Sequence, residues 1–558
     1  MTLSSIPLFL GGLLFTLTSF ATTQNIAFNH FSYEGKDDIF KAPLSQGEYQ
    51  NPILAGFFPD PSIVRVDEDY YLVNSSFSYF PGVPIFHSKD LVHWESLGYI
   101  LVSPKQLPLK NQQVSRGIYA PTLRYHKGVF YLITTLVDVR GNFIVTATDP
   151  AGPWSDPIEL PEVNGIDPDI FFDDDGRVYI THNDAPIGEP LYSGHRAIWQ
   201  WEFDLKAKKI IKDSGRLIVN GGADIKQKPV WIEGPHIYKI NGWYYLLCAE
   251  GGTSLDHSQV VFRTRNLKDA FVPYDGNPIL TQRDLNSDRA NPIAATGHAD
   301  LVQTKEGEWW AVFLGTRPYD KKYFNTGRET FLLPVSWKNE WPVILEKGKS
   351  IPYRATAPAT AKRTTNNAPT TGNFVWHDNF DNPKLNSEWN ILGNLEGDWY
   401  QLNPETKSLQ LTPTANRLSG LSQPAFIGRR QQHMHFDAKA ELQLPTSEHV
   451  SAGIAAFQNE AAHYYFGAEL KDGKYLLFIE KTTKNSSEII TSLSFGKNAF
   501  DKNIVLGMEG NAGKIDFYYY SKIGKRVNVL KNADAKILST EVAGGFVGTY
   551  LGVHTRIE

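Results

Sequence analysis

The chain has 558 residues, a net charge of −5 and no basic run, which argues against nucleic-acid binding. Its single cysteine, Cys248, rules out an internal disulfide, and its apolar neighbours mark it as a buried thiol. Aromatic residues make up 13%, and Tyr and Trp (26 and 13) outnumber Phe (32), a supply of flat rings with a polar edge that suits both packed sheets and sugar contacts.

Residues 1–21 read as a secretory signal. The run from Ile6 to Phe20 is apolar and Ser19-Phe20-Ala21 fits a small-x-small cleavage site, although no Lys or Arg stands near Met1. Export is therefore expected, to the periplasm or the medium, with no membrane span, because no other apolar run is long enough. Residues 22–50 are polar and mixed, and are expected as a leader strand or a loose N-terminal arm.

From residue 51 a pattern repeats five times. Asp60-Pro-Ser-Ile-Val precedes Tyr70-Tyr71, and Ala120-Pro-Thr-Leu-Arg precedes Phe130-Tyr131. Asp167-Pro-Asp-Ile-Phe precedes Val178-Tyr179, Glu233-Gly-Pro-His-Ile precedes Tyr244-Tyr245, and His298-Ala-Asp-Leu-Val precedes Trp309-Trp310. Each unit is a short apolar strand, a tight turn such as Asn241-Gly242, and an aromatic, β-branched strand, hence a hairpin. Hairpins roughly fifty to sixty-five residues apart are too widely spaced for a solenoid and suit a five-bladed β-propeller over 51–346. The starts of the innermost strands then meet at one mouth of the channel, which brings Asp60, Ala120, Asp167, Glu233 and His298 together. The run Asp173-Asp174-Asp175-Gly176 lacks the later acid of a calcium loop and reads as a hairpin turn.

Residues 347–373 turn to Pro, Ala, Thr and Lys and are expected as an exposed linker. From 374 to 558, short alternating segments resume: Leu409-Gln-Leu, Ala438-Lys-Ala-Glu-Leu, Gly453-Ile-Ala-Ala-Phe, Tyr464-Tyr-Phe-Gly-Ala, Ile515-Asp-Phe-Tyr and Phe546-Val-Gly-Thr-Tyr. They predict a β-sandwich and an all-β chain.

Like charges are brought together only at a cost, so three carboxyls at blade positions call for a use. A metal of the calcium class would need them to converge tightly. Glycoside hydrolysis needs one carboxylic acid to protonate the leaving oxygen and one carboxylate to activate water, and a third acid can tune the donor. Turn capping by Asp60 and Asp167, each before Pro, is the plainer alternative for either residue alone.

The stretches NPILAGFFPDPSI, SFSYFPGVPIFHSKDLVHWE, GIDPDIFFDDDGRVY, WIEGPHIYK, AEGG, GHADLV and NTGRETFLLPVSW together resemble glycoside hydrolase family 43, in its two-domain β-xylosidase and α-L-arabinofuranosidase branch. The resemblance implies an inverting, exo-acting enzyme with a concanavalin-like jelly roll after the propeller, acting on plant cell-wall oligosaccharides. It implies Asp60 as general base, Glu233 as general acid and Asp167 as the acid that tunes it. Arg328, Phe77, Tyr119 and His298 match substrate-binding positions. Tyr119 stands where such xylosidases usually carry tryptophan, and Asp167-Pro168-Asp169 departs from the usual Asp-Pro-Ser, so either pentose, β-D-xylose or α-L-arabinofuranose, is open. No cofactor is expected to be required; some family members hold a structural Ca²⁺ in the channel near the equivalent of His298. A sugar-binding propeller without activity is the alternative, against which stands the full set of carboxyls.

Overall fold

The computed structural model describes residues 24–361, 369–393, 397–484 and 486–558, so the signal expected at 1–21 lies outside the described residues. Nearly all regular structure is strand, and among the described residues no helix is long and apolar enough to cross a membrane.

Four blades begin as the repeats predict. Ser62–Val66 and Asp69–Val73 open the first, Thr122–His126 and Val129–Val137 the second, Ile166–Phe172 and Val178–Asp184 the third, Glu233–Ile240 and Trp243–Glu250 the fourth. Each hairpin is extended outward by further antiparallel strands. The fifth blade has three strands, Ala294–Gln303, Trp309–Thr316 and Glu329–Pro334. Residues from the start of the repeat region complete it. Leu54 bridges Thr330, and Asn51 Nδ2 donates to the Leu332 carbonyl at 2.9 Å, so the first part of the ring is stitched to the last. The run 173–176 is a turn, with the Asp173 N–H donating to the Arg177 carbonyl at 2.9 Å. Cys248 is fully buried.

The sandwich consists of two eight-stranded sheets. Its inner faces alternate buried apolar residues, as in His435–Gln443 with Phe436, Ala438, Ala440 and Leu442 inside. One open expectation is decided here and two change. Of the two readings of 22–50 the leader strand holds and the loose arm does not: Ile26–Gly35 pairs with His435–Gln443 and Ser408–Leu411 in the interior of a sandwich sheet. Its alternation of Ile26, Phe28, Phe31 and Tyr33 supplies the buried face that this place demands. The linker at 347–373 is partly built in, because Arg354–Thr356 pairs with Glu48–Gln50 and the Thr370 carbonyl accepts from Ala55 N–H at 2.9 Å; residues 362–368 lie outside the described residues. The strand expected at 546–550 is a loop up to Thr549, with the last strand at Tyr550–Ile557. Gly544 and Gly545, both at positive φ, interrupt the chain there.

The two domains share strands and charges. Tyr79–Phe80, from the first blade, is the edge strand of a sandwich sheet beside Asn390–Leu392. Arg317 is fully buried between them, paired with Glu329 at 2.6 Å and Asp37 at 2.9 Å and donating to the Gln432 carbonyl at 2.9 Å. A guanidinium needs such a full set of acceptors to be tolerated without water. Gly327 lies so close to Gly548 that a Cβ there would meet its Cα at 2.9 Å.

Candidate active site

The five innermost strands start at one end of the channel, and Asp60, Ala120, Asp167, Glu233 and His298 all line a single cavity of about 430 Å³. A shared backbone device aims them. Asp60, Asp167 and His298 have φ of +51°, +56° and +52°, a left-handed conformation that Asp and His tolerate better than most side chains. In the third, fourth and fifth blades the strand pairing also shifts register at this point, between Ile166 and Asp169, Glu233 and His236, and Gly297 and Asp300. Such bulges turn a side chain out of the regular alternation, here into the channel mouth.

The fourth blade departs from the sequence alignment by one residue. Its left-handed position is Gly234, at φ +56°, not Glu233. A Cβ on Gly234 would stand 2.7 Å from His298 Nε2, so no side chain fits at the equivalent place. The acid of this blade is therefore carried by the preceding residue.

The three carboxyls are all buried. Asp60 accepts from Arg328 Nη1 at 2.7 Å through Oδ1 and from Ser75 Oγ at 2.5 Å through Oδ2. Asp167 accepts from the Gly234 N–H at 3.2 Å. Burial, then the neighbouring charges of Glu233 and Asp60, hold the Asp167 carboxyl well above the usual range. Burial and the charge of Asp60 push Glu233 up to about 7 against the pull of Arg328 and Arg196. Asp167 and Glu233 titrate as a pair, and the physical content is that the pair retains a proton near neutral pH. His298 Nδ1 stands 3.7 Å from Asp60 Oδ1. Burial lowers His298 to about 3 and His257 to about 4, so both imidazoles are neutral.

The remaining expected residues form the wall. Phe77 and Tyr119 pack with ring centres 5.2 Å apart, and the Tyr119 hydroxyl donates to the Ser115 carbonyl at 3.2 Å. Phe546 comes to the same wall from the sandwich, 6.2 Å from Phe77 and 6.1 Å from Tyr119 between ring centres. Its N–H donates to Ser115 Oγ at 3.0 Å. Sequence reasoning missed it, since it lies more than four hundred residues from Phe77 in the chain; the Gly544-Gly545 pair before it was the one local sign of a break. Arg196, Trp231 and His257 also line the cavity and were missed. Trp231 is the first residue of the motif WIEGPH, two residues before Glu233.

Below the cavity the channel carries its own cation. Arg124 pairs with Asp169 at 3.0 Å and Asp300 at 2.8 Å and donates towards His236 Nδ1 at 3.0 Å. Asp300 also accepts from Ser62 Oγ at 2.6 Å and from the Tyr238 hydroxyl. The Asp169 and Asp300 carboxylates thus face a guanidinium in this stretch of the channel. Among the described residues no group of three or more His, Cys, Asp or Glu is arranged to hold a metal.

Residues 49–342 match the family model described as glycosyl hydrolases family 43, and residues 377–555 match the beta-xylosidase C-terminal concanavalin A-like domain. The chain is 39% identical to a xylosidase/arabinosidase of Butyrivibrio fibrisolvens over 90% of its length and 95% of the relative's. It is 35% identical to a non-reducing end alpha-L-arabinofuranosidase of Bacteroides ovatus, covering 92% of each. Among solved structures it resembles a GH43_12 protein retrieved from a capybara gut metagenome, with a TM-score of 0.89, 40% identity, and 95% and 99% of the two chains covered. A xylan beta-1,4-xylosidase from Bacillus halodurans gives a TM-score of 0.82 and 32% identity over 91% and 97%.

Proposed function

The chain belongs to glycosyl hydrolase family 43, and from that premise we propose that it is an inverting, exo-acting hydrolase that removes a terminal pentose from plant cell-wall oligosaccharides. The observation that carries the reading is the set of three buried carboxyls, from three blades, in one cavity with Arg328.

Glu233 gives its proton to the glycosidic oxygen as the C1–O bond breaks. Asp60, oriented by Arg328 and Ser75, takes a proton from the water that forms the new C1–O bond on the opposite face. One displacement inverts the anomeric carbon, and solvent returns both carboxyls to their starting states. Asp167 raises the donor by sharing its proton and its field. Arg328, Phe77, Tyr119 and His298 bind the terminal sugar. A cavity of about 430 Å³ belongs to the lower part of the usual range for ligand pockets, about 300–1,000 Å³, and suits one or two rings rather than a long polymer groove. Phe546 closing one side supports attack at a chain end.

Relatives named for both pentoses leave the choice between them to the wall. Tyr119 is smaller than the tryptophan it replaces, which favours a second, narrower reading: an α-L-arabinofuranosidase whose pocket admits the exocyclic carbon of the furanose. Hydrolysis rates on nitrophenyl β-D-xyloside and α-L-arabinofuranoside test both readings, and activity on neither would overturn the pentosidase assignment. We also place the protein outside the cytoplasm on the strength of residues 1–21, to be checked by N-terminal sequencing of the exported form.

A further inference from the structure

Trp231, like Phe77 elsewhere on the cavity wall, has a left-handed backbone. Its φ is +52°, a conformation that a bulky side chain adopts only where its surroundings enforce it. The enforcement is a set of hydrogen bonds. Trp231 N–H donates to the Gly194 carbonyl at 2.8 Å, and Gly251 N–H donates to the Val230 carbonyl at 2.7 Å. Asn183 Nδ2 donates to the Ile232 carbonyl at 2.5 Å. The Oδ1 of the same asparagine accepts from Arg196 Nε at 3.1 Å and Nη2 at 2.8 Å. So anchored, the Arg196 guanidinium lies 4.8 Å from the centre of the Trp231 ring.

This network does not bury the indole. Trp231 remains 39% exposed although it lines the cavity. Ile232, by contrast, is fully buried in the blade, and Trp231 and Glu233 flank it, both turned to the cavity. Trp231 thus presents an exposed ring to the cavity two residues before Glu233, the acid that the reading above makes the proton donor to the leaving group.

We propose that Trp231 is the platform for the leaving sugar, taking a pyranose ring of a β-linked backbone against its indole. Such a ring offers a flat face of C–H bonds to an aromatic surface, whereas a puckered furanose offers less. Arg196 acts as a positioning residue that fixes the plane of the indole. The proposal rests on the glycosidase reading above and adds to it the class of the aglycone.

The test compares kcat/KM on a pentosyl oligosaccharide with a pyranose aglycone against kcat/KM on the pentosyl fluoride, which has no aglycone ring. Trp231→Leu keeps apolar bulk and loses the ring; Trp231→Tyr keeps a ring. The ratio of oligosaccharide to fluoride is expected to fall about tenfold in Trp231→Leu, mainly through KM, and to stay within about threefold of the parent in Trp231→Tyr. An unchanged ratio in Trp231→Leu, or an equal fall in both variants, overturns the proposal. A folding defect lowers both rates together and so cannot produce the expected fall in the ratio; thermal unfolding of each variant measures that defect separately. A parent protein inactive on both substrates would instead bring down the glycosidase reading itself.

Discussion

Arg328 Nη1 donates to Asp60 Oδ1 at 2.7 Å, and this ion pair, buried on both sides, orients the carboxylate proposed as base. The field of the same guanidinium reaches Asp167 and Glu233, where it opposes their raised proton affinity. If Asp60 activates water, the first sugar released has the inverted anomeric configuration. Proton NMR during the first turnovers reads this directly, and a retained anomer would remove Asp60 from the base role.

Glu233→Gln should lower kcat/KM on natural glycosides by about 10²–10⁴, the range for loss of a general acid. Substrates with good leaving groups need little protonation and should lose far less. Equal losses across leaving groups would show that Glu233 does not supply the proton.

Asp167→Asn should lower the upper limb of the pH profile of kcat/KM. If Glu233 is the acid, that limb reports loss of the last proton from the Asp167–Glu233 pair. Burial and the charge of Glu233 hold Asp167 well above the usual carboxyl range, so the two acids together keep a proton near neutral pH. Without a second carboxyl to share the proton, the limb should move down by about one pH unit. A limb that stays or rises would leave Asp167 only a positioning part.

A fragment ending at residue 361 should be insoluble or nearly inactive. It would leave Ile26–Gly35 without its sandwich partners and Arg317 without the Gln432 carbonyl. In the full chain, Phe546→Ala should raise KM and reduce kcat/KM about tenfold, because a wall of the pocket is removed. Full activity of the fragment would refute the shared pocket.

Arg124 pairs with both Asp169 and Asp300 in the channel, in the place where a cation would neutralise them. A chelator should therefore leave the unfolding temperature and kcat unchanged. Arg124→Met should cost about 3–5 kcal/mol of stability, since Asp169 and Asp300 would remain buried without their cation. A chelator-induced drop in unfolding temperature, reversed by Ca²⁺, would contradict this.

Much of the architecture was legible because it is local. A turn such as Asn241-Gly242 between β-branched and aromatic runs specifies a hairpin from a few residues, and five such units in series specify a ring. Alternation in the segment around Ala438 announced the sandwich for the same reason. The acids before Pro or Gly announced a site because their chemistry is carried by single residues.

What remained hidden depends on contacts between distant parts of the chain. Ile26–Gly35 has the alternation of a strand, but which strand it pairs with is settled by the open place beside His435–Gln443. The one-residue step from Gly234 to Glu233 is set by the imidazole of His298, on the innermost strand of the next blade, because a Cβ would collide with it. Phe546 enters the pocket only after the sandwich docks and Gly544 and Gly545 turn the loop towards Ser115. Sequence alone thus determined the blades, the sandwich and the identity of the acids, each encoded in short-range pattern and turn chemistry. The register that aims the acids and the wall that closes on them were decided by tertiary structure, because steric exclusion and strand pairing act between residues that the chain order keeps far apart.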